Sequence, residues 1–69
     1  MPLVLADAGE ENIIKKVGGR GDVKRHLEDM GFVVGGSVTV ITQNGGNVIV
    51  NVKGTRIAVS REMAQKIMV

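Results

Sequence analysis

The single histidine of the chain, His26, lies among acidic residues at helical spacing. Asp22 comes four residues before it and Asp29 three residues after it. Residues three and four apart share one flank of an α-helix, so the three side chains would form a cluster. Specific transition-metal sites use three or four ligands with supporting hydrogen bonds. The spacing leaves two interpretations open: a site for Fe²⁺, Mn²⁺ or Zn²⁺ at Asp22, His26 and Asp29, or a solvated helix flank.

A glycine-rich stretch, Gly18-Gly19-Arg20-Gly21, precedes the same helix. The dinucleotide-binding fingerprint requires GxGxxG between a strand and a helix, and the P-loop ends in GK[ST]; neither pattern is present. The carboxylate of Asp22 at this helix end would also repel an anion. The stretch is therefore interpreted as a chain break and not as a phosphate-binding loop.

Residues for covalent or acid–base catalysis are scarce. The chain has no cysteine, and neither Ser37 nor Ser60 has a predicted base beside it. Ser60 is better explained as a helix cap, and no pair of carboxylates is placed across a cleft. The sequence therefore predicts that the protein is not an enzyme and requires no cofactor.

Nucleic-acid binding would require the basic residues to gather on one side of the molecule. The net charge is only +2, and bases alternate with acids along the chain. Proteins that bind RNA or single strands stack bases on aromatic rings, and the only aromatic residue is Phe32. We expect no nucleic acid as a partner, although a small nucleic-acid-binding barrel remains an alternative. The residues concerned are Lys15, Lys16, Arg20, Lys53 and Arg56.

The size and composition of the chain limit the fold that must position these residues. With 69 residues, no cysteine and 43% hydrophobic residues, the chain can form one small aliphatic core without disulfides. We therefore expect a single domain over residues 1–69. No apolar run approaches the roughly 20 residues that span a bilayer. The first residues lack the charge pattern of a signal peptide, so a cytoplasmic location is expected.

Alternating β-branched residues predict most of the domain as strands. Strands are expected over residues 37–42 and 48–52 and around Ile57 and Val59, with valines on one face. Glycine turns at residues 44–47 and 53–54 separate these strands. Short consecutive strands joined by tight turns favour an antiparallel meander that closes into a barrel.

The N-terminal part of the chain has a weaker strand pattern. Residues 2–5 are predicted as a short edge strand. Residues 12–17 are predicted as a second strand, with Ile13 and Val17 on one face and Ile14 on the other.

Two helices complete the prediction. The first covers residues 22–30, with Asp22 as its N-cap and Gly31 in the left-handed conformation just after its end. The second covers residues 61–66 and is capped by Ser60, with a short final strand after it. The buried stripe of the first helix is predicted to contain Val23, Leu27 and Met30.

The apolar segment after the first helix is the candidate partner-binding surface. Met30, Phe32, Val33 and Val34 are apolar, and three of them follow one another in a loop. We expect Phe32 to anchor this loop in the core and Val33 or Val34 to remain exposed. Exposed apolar loop residues are typical of a contact surface.

Taken together, these residues resemble the FeoA domain family of bacterial ferrous-iron uptake. The resemblance lies in Leu27-Glu28-Asp29-Met30-Gly31, in the following Phe32 to Val40 segment, and in Gly45-Gly46 before the Val48 to Val52 strand. It continues through Gly54, Arg56 to Ser60, and Ala64-x-x-Ile67-x-Val69. Val34 is a departure, because the family often has proline before this glycine.

The resemblance implies a mainly β fold with two short helices, a small SH3-like β-barrel. It also implies a cytoplasmic accessory protein that binds the cytoplasmic part of FeoB, the membrane ferrous-iron transporter with a GTPase domain, and modulates it. Related SH3-like domains of iron-dependent repressors respond to metal, so a module that binds a divalent transition metal directly is the alternative. The resemblance implies no catalytic residues.

Overall fold

The computed structural model describes all residues from Met1 to Val69. Six β-strands, two α-helices and one short 3₁₀ helix surround one hydrophobic core. The 3₁₀ helix covers Leu3–Leu5, and the helices are α1 (Gly21–Asp29) and α2 (Arg61–Ala64). The strands are β1 (Glu11–Ile13), β2 (Lys16–Val17), β3 (Ser37–Asn44), β4 (Asn47–Val52), β5 (Thr55–Ser60) and β6 (Ile67–Met68).

Four strands form an antiparallel sheet in the order β1-β3-β4-β5. Gly45 and Gly46 connect β3 to β4, and Lys53 and Gly54 connect β4 to β5, as the glycine turns predicted. Lys53 has a φ of 52° and Gly54 a φ of 73°. Positive φ at both central residues is the signature of a type I′ turn, whose twist matches that of the paired strands. The predicted meander of β3, β4 and β5 is therefore confirmed.

The remaining two strands, β2 and β6, form a separate antiparallel pair. The sheets do not join into one closed hydrogen-bonded cylinder, because β1 and β5 remain at opposite edges of the larger sheet. Instead, the segment over residues 11–17 contributes a strand to each sheet: β1 pairs with β3, and β2 then pairs with β6. This arrangement curls the two sheets around the core.

The prediction of one strand over residues 12–17 is wrong for this reason. The chain leaves the larger sheet after Ile13 and enters the smaller one at Lys16, which interrupts the two-residue alternation. Ile14, predicted to face away from Ile13 and Val17, is 1% exposed and lies in the core, whereas Ile13 is 53% exposed. Val17 is buried, so it does not share a face with Ile13 as predicted.

Two further expectations differ from the structure. Residues 2–5 form a 3₁₀ helix and not an edge strand, because Leu3 and Val4, which are neighbours in the chain, are both buried. Only Pro2 makes a strand-like bridge, with Met68. Asp22 is not the N-cap of α1: the helix begins one residue earlier, Arg20 occupies the cap position, and no side chain caps it. The negative charge of Asp22 still lies in the first turn, where the helix dipole favours it.

The core is aliphatic apart from one aromatic ring. Leu27 and Phe32 are completely buried, and Val23 and Met30 pack against the core from α1, as predicted. The core contains 16 buried hydrophobic residues and no buried polar side chain. From the strands it receives Val38, Val40, Val48, Val50, Val52 and Val59.

The second helix is shorter than predicted and is capped as predicted. The Ser60 hydroxyl accepts a hydrogen bond from the Met63 backbone N–H at 3.2 Å. The helix ends at Ala64, and the chain then enters β6, where Ile67 is buried. The predicted final strand is thus present and pairs with β2.

Candidate partner-binding surface

The end of α1 determines where the following loop goes. Gly31, with a φ of 109°, donates its N–H to the Glu28 carbonyl at 3.0 Å, and Phe32 donates its N–H to the Leu27 carbonyl at 3.0 Å. These two bonds form the Schellman motif, in which a glycine with positive φ terminates the helix. Both Leu27 and Phe32 are completely buried. The motif therefore turns the chain sharply and anchors its first loop residue in the core.

A tight turn over Val33–Gly36 follows at once. The Gly36 N–H donates to the Val33 carbonyl at 2.9 Å, and Gly35 has a φ of 89°. A hydrogen bond between the first and fourth residues, with positive φ at the third, is the pattern of a type II turn. Val34 occupies the second position, at the corner, and its side chain is 65% exposed.

The turn is fastened to the segment between β1 and β2. The Ile14 N–H donates to the Gly36 carbonyl at 2.8 Å, and the Gly35 N–H donates to the Ile14 carbonyl at 2.8 Å. Val34 directly precedes Gly35, the donor of the second bond, and Ile13 directly precedes Ile14, its acceptor. The structure therefore holds two exposed aliphatic residues on neighbouring, hydrogen-bonded segments. We call Ile13, Val33 and Val34 the docking surface.

The four predicted partner-binding residues have different environments. Phe32 is completely buried, and Met30 is partly buried against the core, so these two hold the loop in place. Val33 is partly exposed, and Val34 is the most exposed of the four. Ile13 was not among the predicted residues, because strand alternation only placed it on the same face as Val17. Its orientation depends on hydrogen bonds of the next residue, Ile14, to Gly35 and Gly36, which lie more than twenty positions away in sequence.

The predicted metal ligands do not form a ligand set. Asp22, His26 and Asp29 are all exposed on α1, and the structure has no group of three or more His, Asp or Glu side chains arranged to hold a metal ion. At 1.5 Å of rise per residue, seven residues separate Asp22 from Asp29 by about 10 Å along the helix axis. The structure therefore does not bring all three side chains together around one ion.

The five basic residues considered for nucleic-acid binding fall into two groups. Arg20 lies at the start of α1, whereas Lys53 lies at its end: a Cβ built on Gly31 would be 3.4 Å from Lys53 Cδ. The nine residues of α1 separate these positions by roughly 13 Å. Lys16 lies in β2 and Lys15 directly precedes it. Arg56 lies in β5, three residues after Lys53. The larger group, at β2 and the start of α1, is considered again below.

The two serines considered for catalysis have ordinary environments. The structure has no pocket, the Ser60 hydroxyl is used as a helix cap, and Ser37 is exposed at the start of β3. No helix has both the length and the hydropathy needed to cross a membrane.

Comparison with known proteins identifies the family. The whole chain, residues 1–69, matches the model of the FeoA domain. The chain belongs to the FeoA family. A relative from Methanocaldococcus jannaschii, described as "Putative Fe(2+) transport protein A", is 41% identical over 68 residues, which cover 99% of this chain and 83% of the relative. The FeoA family is associated with ferrous iron transport and is not a known enzyme family.

Solved FeoA structures confirm the fold. A crystal structure of FeoA, described as an iron uptake regulatory protein, has a TM-score of 0.90 and 25% identity, over 99% of this chain and 92% of that one. Stenotrophomonas maltophilia FeoA complexed with zinc, described as a procaryotic SH3 domain protein, has a TM-score of 0.84 and 24% identity, over 99% of this chain and 87% of that one. The SH3-like, mainly β fold expected from the resemblance is therefore confirmed.

Proposed function

We propose that this FeoA protein is a small cytoplasmic accessory of ferrous iron uptake that binds the cytoplasmic part of FeoB and modulates it. The observation that carries the proposal is the exposure of Val34. Its side chain is 65% exposed at the corner of a turn that backbone hydrogen bonds hold against Ile14. Family membership supplies the link to ferrous iron transport. The absence of a pocket is consistent with a protein that acts by contact.

The docking surface has properties that favour association with a protein. Ile13 and Val34 are both more than half exposed, at 53% and 65%. Full burial of a Val or Ile side chain is worth about 1.5–3 kcal/mol. Because backbone hydrogen bonds already order the turn, little further ordering is needed on binding. Because both are already partly buried, two such side chains in one partner cleft supply about 2–3.5 kcal/mol of the roughly 8 kcal/mol in a micromolar affinity.

Modulation follows if FeoB presents the complementary cleft in only one of its states. A ligand shifts an equilibrium between two conformations only by its difference in affinity for them. In this proposal FeoA binds one conformation of the cytoplasmic part more tightly, and so biases gating or the nucleotide cycle of the transporter.

The test is a titration of isotope-labelled protein with the cytoplasmic part of FeoB, followed by amide resonances. We expect the amides of residues 13–16 and 33–36 to shift or broaden at micromolar concentrations, because the two segments are hydrogen-bonded neighbours. Amides of the Gly45–Gly46 turn, at the other end of β3, serve as the internal control. Changes confined to that turn, or no changes at all, would contradict the proposal.

Direct metal binding is a second candidate, favoured by the zinc complex of the Stenotrophomonas maltophilia relative. In this chain the residues fit poorly, since Asp22, His26 and Asp29 do not come together around one ion. A divalent ion such as Fe²⁺, Mn²⁺ or Zn²⁺ would therefore bind with further ligands from water or from FeoB. The prediction that tests this candidate is given in the Discussion.

A further inference from the structure

The outer face of the β2–β6 pair carries basic residues that the docking surface does not use. Val17 and Ile67 pair with each other and are buried, so they face the core. Side chains alternate along a strand, and Lys16 and its partner Met68 therefore face outward. The ladder continues as the Gly18 N–H donates to the Lys66 carbonyl at 2.6 Å, which places Lys66 on the same outer face.

Lys66 extends from this face toward the start of α1. A Cβ built on Gly19 would lie 3.3 Å from Lys66 Cδ and 3.2 Å from Val23 Cγ1. The aliphatic part of the lysine thus packs over the glycine stretch while its ammonium group remains free to reach solvent. Arg20, the next residue, is exposed at the N-cap of α1. Lys15 is exposed next to β2 and donates its backbone N–H to the Met68 carbonyl at 2.7 Å.

Together these residues form a cationic face, defined as Lys15, Lys16, Arg20 and Lys66. None of their side chains donates a hydrogen bond within the protein. Three acids lie within four residues of these four bases: Asp22 follows Arg20 by two, Glu11 precedes Lys15 by four, and Glu62 precedes Lys66 by four. The four charges are therefore only partly offset, although the net charge of the whole chain is +2.

We propose that the cationic face binds the anionic lipid headgroups of a membrane surface. Three of its four charges are lysines, which act as flexible point charges and do not impose the fixed geometry of an arginine–phosphate pair. The face is a sheet surface without a pocket, as expected for contact with a plane. Met68, partly exposed, lies in one cross-strand row between Lys16 and Pro2. An apolar side chain among basic ones is typical of peripheral membrane contact.

Nucleic acid is the less favoured anionic partner. Single-strand and RNA recognition uses exposed aromatic rings, and the only ring, Phe32, is completely buried. The inference goes beyond the proposed function and does not depend on it, because the cationic face and the docking surface share no residue.

Vesicle co-sedimentation tests the proposal. The full chain is mixed with vesicles of equal parts phosphatidylcholine and phosphatidylglycerol, and separately with phosphatidylcholine alone. We expect binding only to the anionic vesicles at low salt, with loss at about 1 M salt, where the Debye length is about 3 Å. Each basic residue near an anionic surface raises binding about fivefold. The double variant Lys15→Gln/Lys16→Gln should therefore bind about 25-fold more weakly.

The matched control is Lys53→Gln/Arg56→Gln, which removes the same charge from the β4–β5 hairpin and should bind like the wild type. Thermal unfolding establishes whether both double variants are folded. If Lys15→Gln/Lys16→Gln is unfolded, the single variant Lys16→Gln takes its place and should bind about fivefold more weakly than the wild type. Val34→Asp should retain vesicle binding, which separates this proposal from docking to FeoB. Equal binding to neutral vesicles, equal loss in both double variants, or tighter binding to DNA than to anionic vesicles at the same salt would overturn it.

Discussion

The Gly35 backbone N–H donates a hydrogen bond to the Ile14 carbonyl at 2.8 Å, and this bond joins the two parts of the docking surface. Gly35 follows Val34, and Ile14 follows Ile13, so the bond fixes two exposed aliphatic residues relative to each other. Ile14, which follows the exposed Ile13 and supplies the accepting carbonyl, has its side chain buried in the core. The position of the docking surface therefore depends on the core as well as on the turn.

The type II turn predicts a stabilising substitution at its corner. Val34→Pro should raise the free energy of unfolding by about 0.4–1 kcal/mol, because proline suits the second position of this turn and restricts the unfolded chain. Urea unfolding measures the change.

Val33→Pro is the matched control for that substitution. The Val33 N–H donates to the Gly31 carbonyl at 3.0 Å, and proline would remove this donor. We expect a loss of about 1 kcal/mol of stability. Equal effects of proline at the two positions would show that the turn is not of the type described.

The Schellman motif makes a second prediction about stability. Gly31→Ala should lower the free energy of unfolding by at least about 1 kcal/mol, because a side chain at positive φ is strained. Steric contact adds little, since the nearest atom to the new Cβ would be Lys53 Cδ at 3.4 Å. Gly21→Ala is the control: no atom lies within 4 Å of its Cβ, and it begins α1 at ordinary φ. We expect Gly21→Ala to leave stability unchanged or higher, and the opposite order would contradict the motif.

Metal titration tests the acids and the histidine of α1. Adding equimolar Zn²⁺ should leave the ring resonances of His26 nearly unchanged, because Asp22 and Asp29 do not come together with it around one ion. His26→Ala should then bind Zn²⁺ as weakly as the wild type. Saturation of the His26 resonances at equimolar metal in the wild type, together with weaker Zn²⁺ binding by the alanine variant, would establish the metal-responsive alternative instead.

The strands and turns of the C-terminal half were predictable from the sequence because each depends on local features. Val48, Val50 and Val52 alternate with exposed residues, and Gly54 permits a turn that few other residues adopt. Ser60 likewise caps α2 through an atom three residues away. In each case the interactions that determine the structure lie within a few positions of the residue.

The N-terminal half was less predictable because its conformation depends on distant partners. Ile14 turns inward where its segment leaves β3 for β6, and β6 lies at the other end of the chain. The N-cap of α1 was misassigned by two residues, since Asp22 is a good cap by type but Arg20 occupies the position. The two exposed residues of the docking surface differ in the same way. The exposure of Val34 is determined by its own turn, whereas the exposure of Ile13 is determined by the pairing of β1 and β2 with different sheets.

The most direct test of the proposed function is the affinity of the cytoplasmic part of FeoB for two charge variants, measured by calorimetry. Val34→Asp places a carboxylate in the docking surface, whereas Leu5→Asp makes the same charge change at an equally exposed aliphatic residue in the 3₁₀ helix, which is 66% exposed. We predict micromolar binding by the wild type and by Leu5→Asp, and binding at least about tenfold weaker by Val34→Asp, or about 1.4 kcal/mol. No binding by the wild type, or equal affinity of the two variants, would contradict the account.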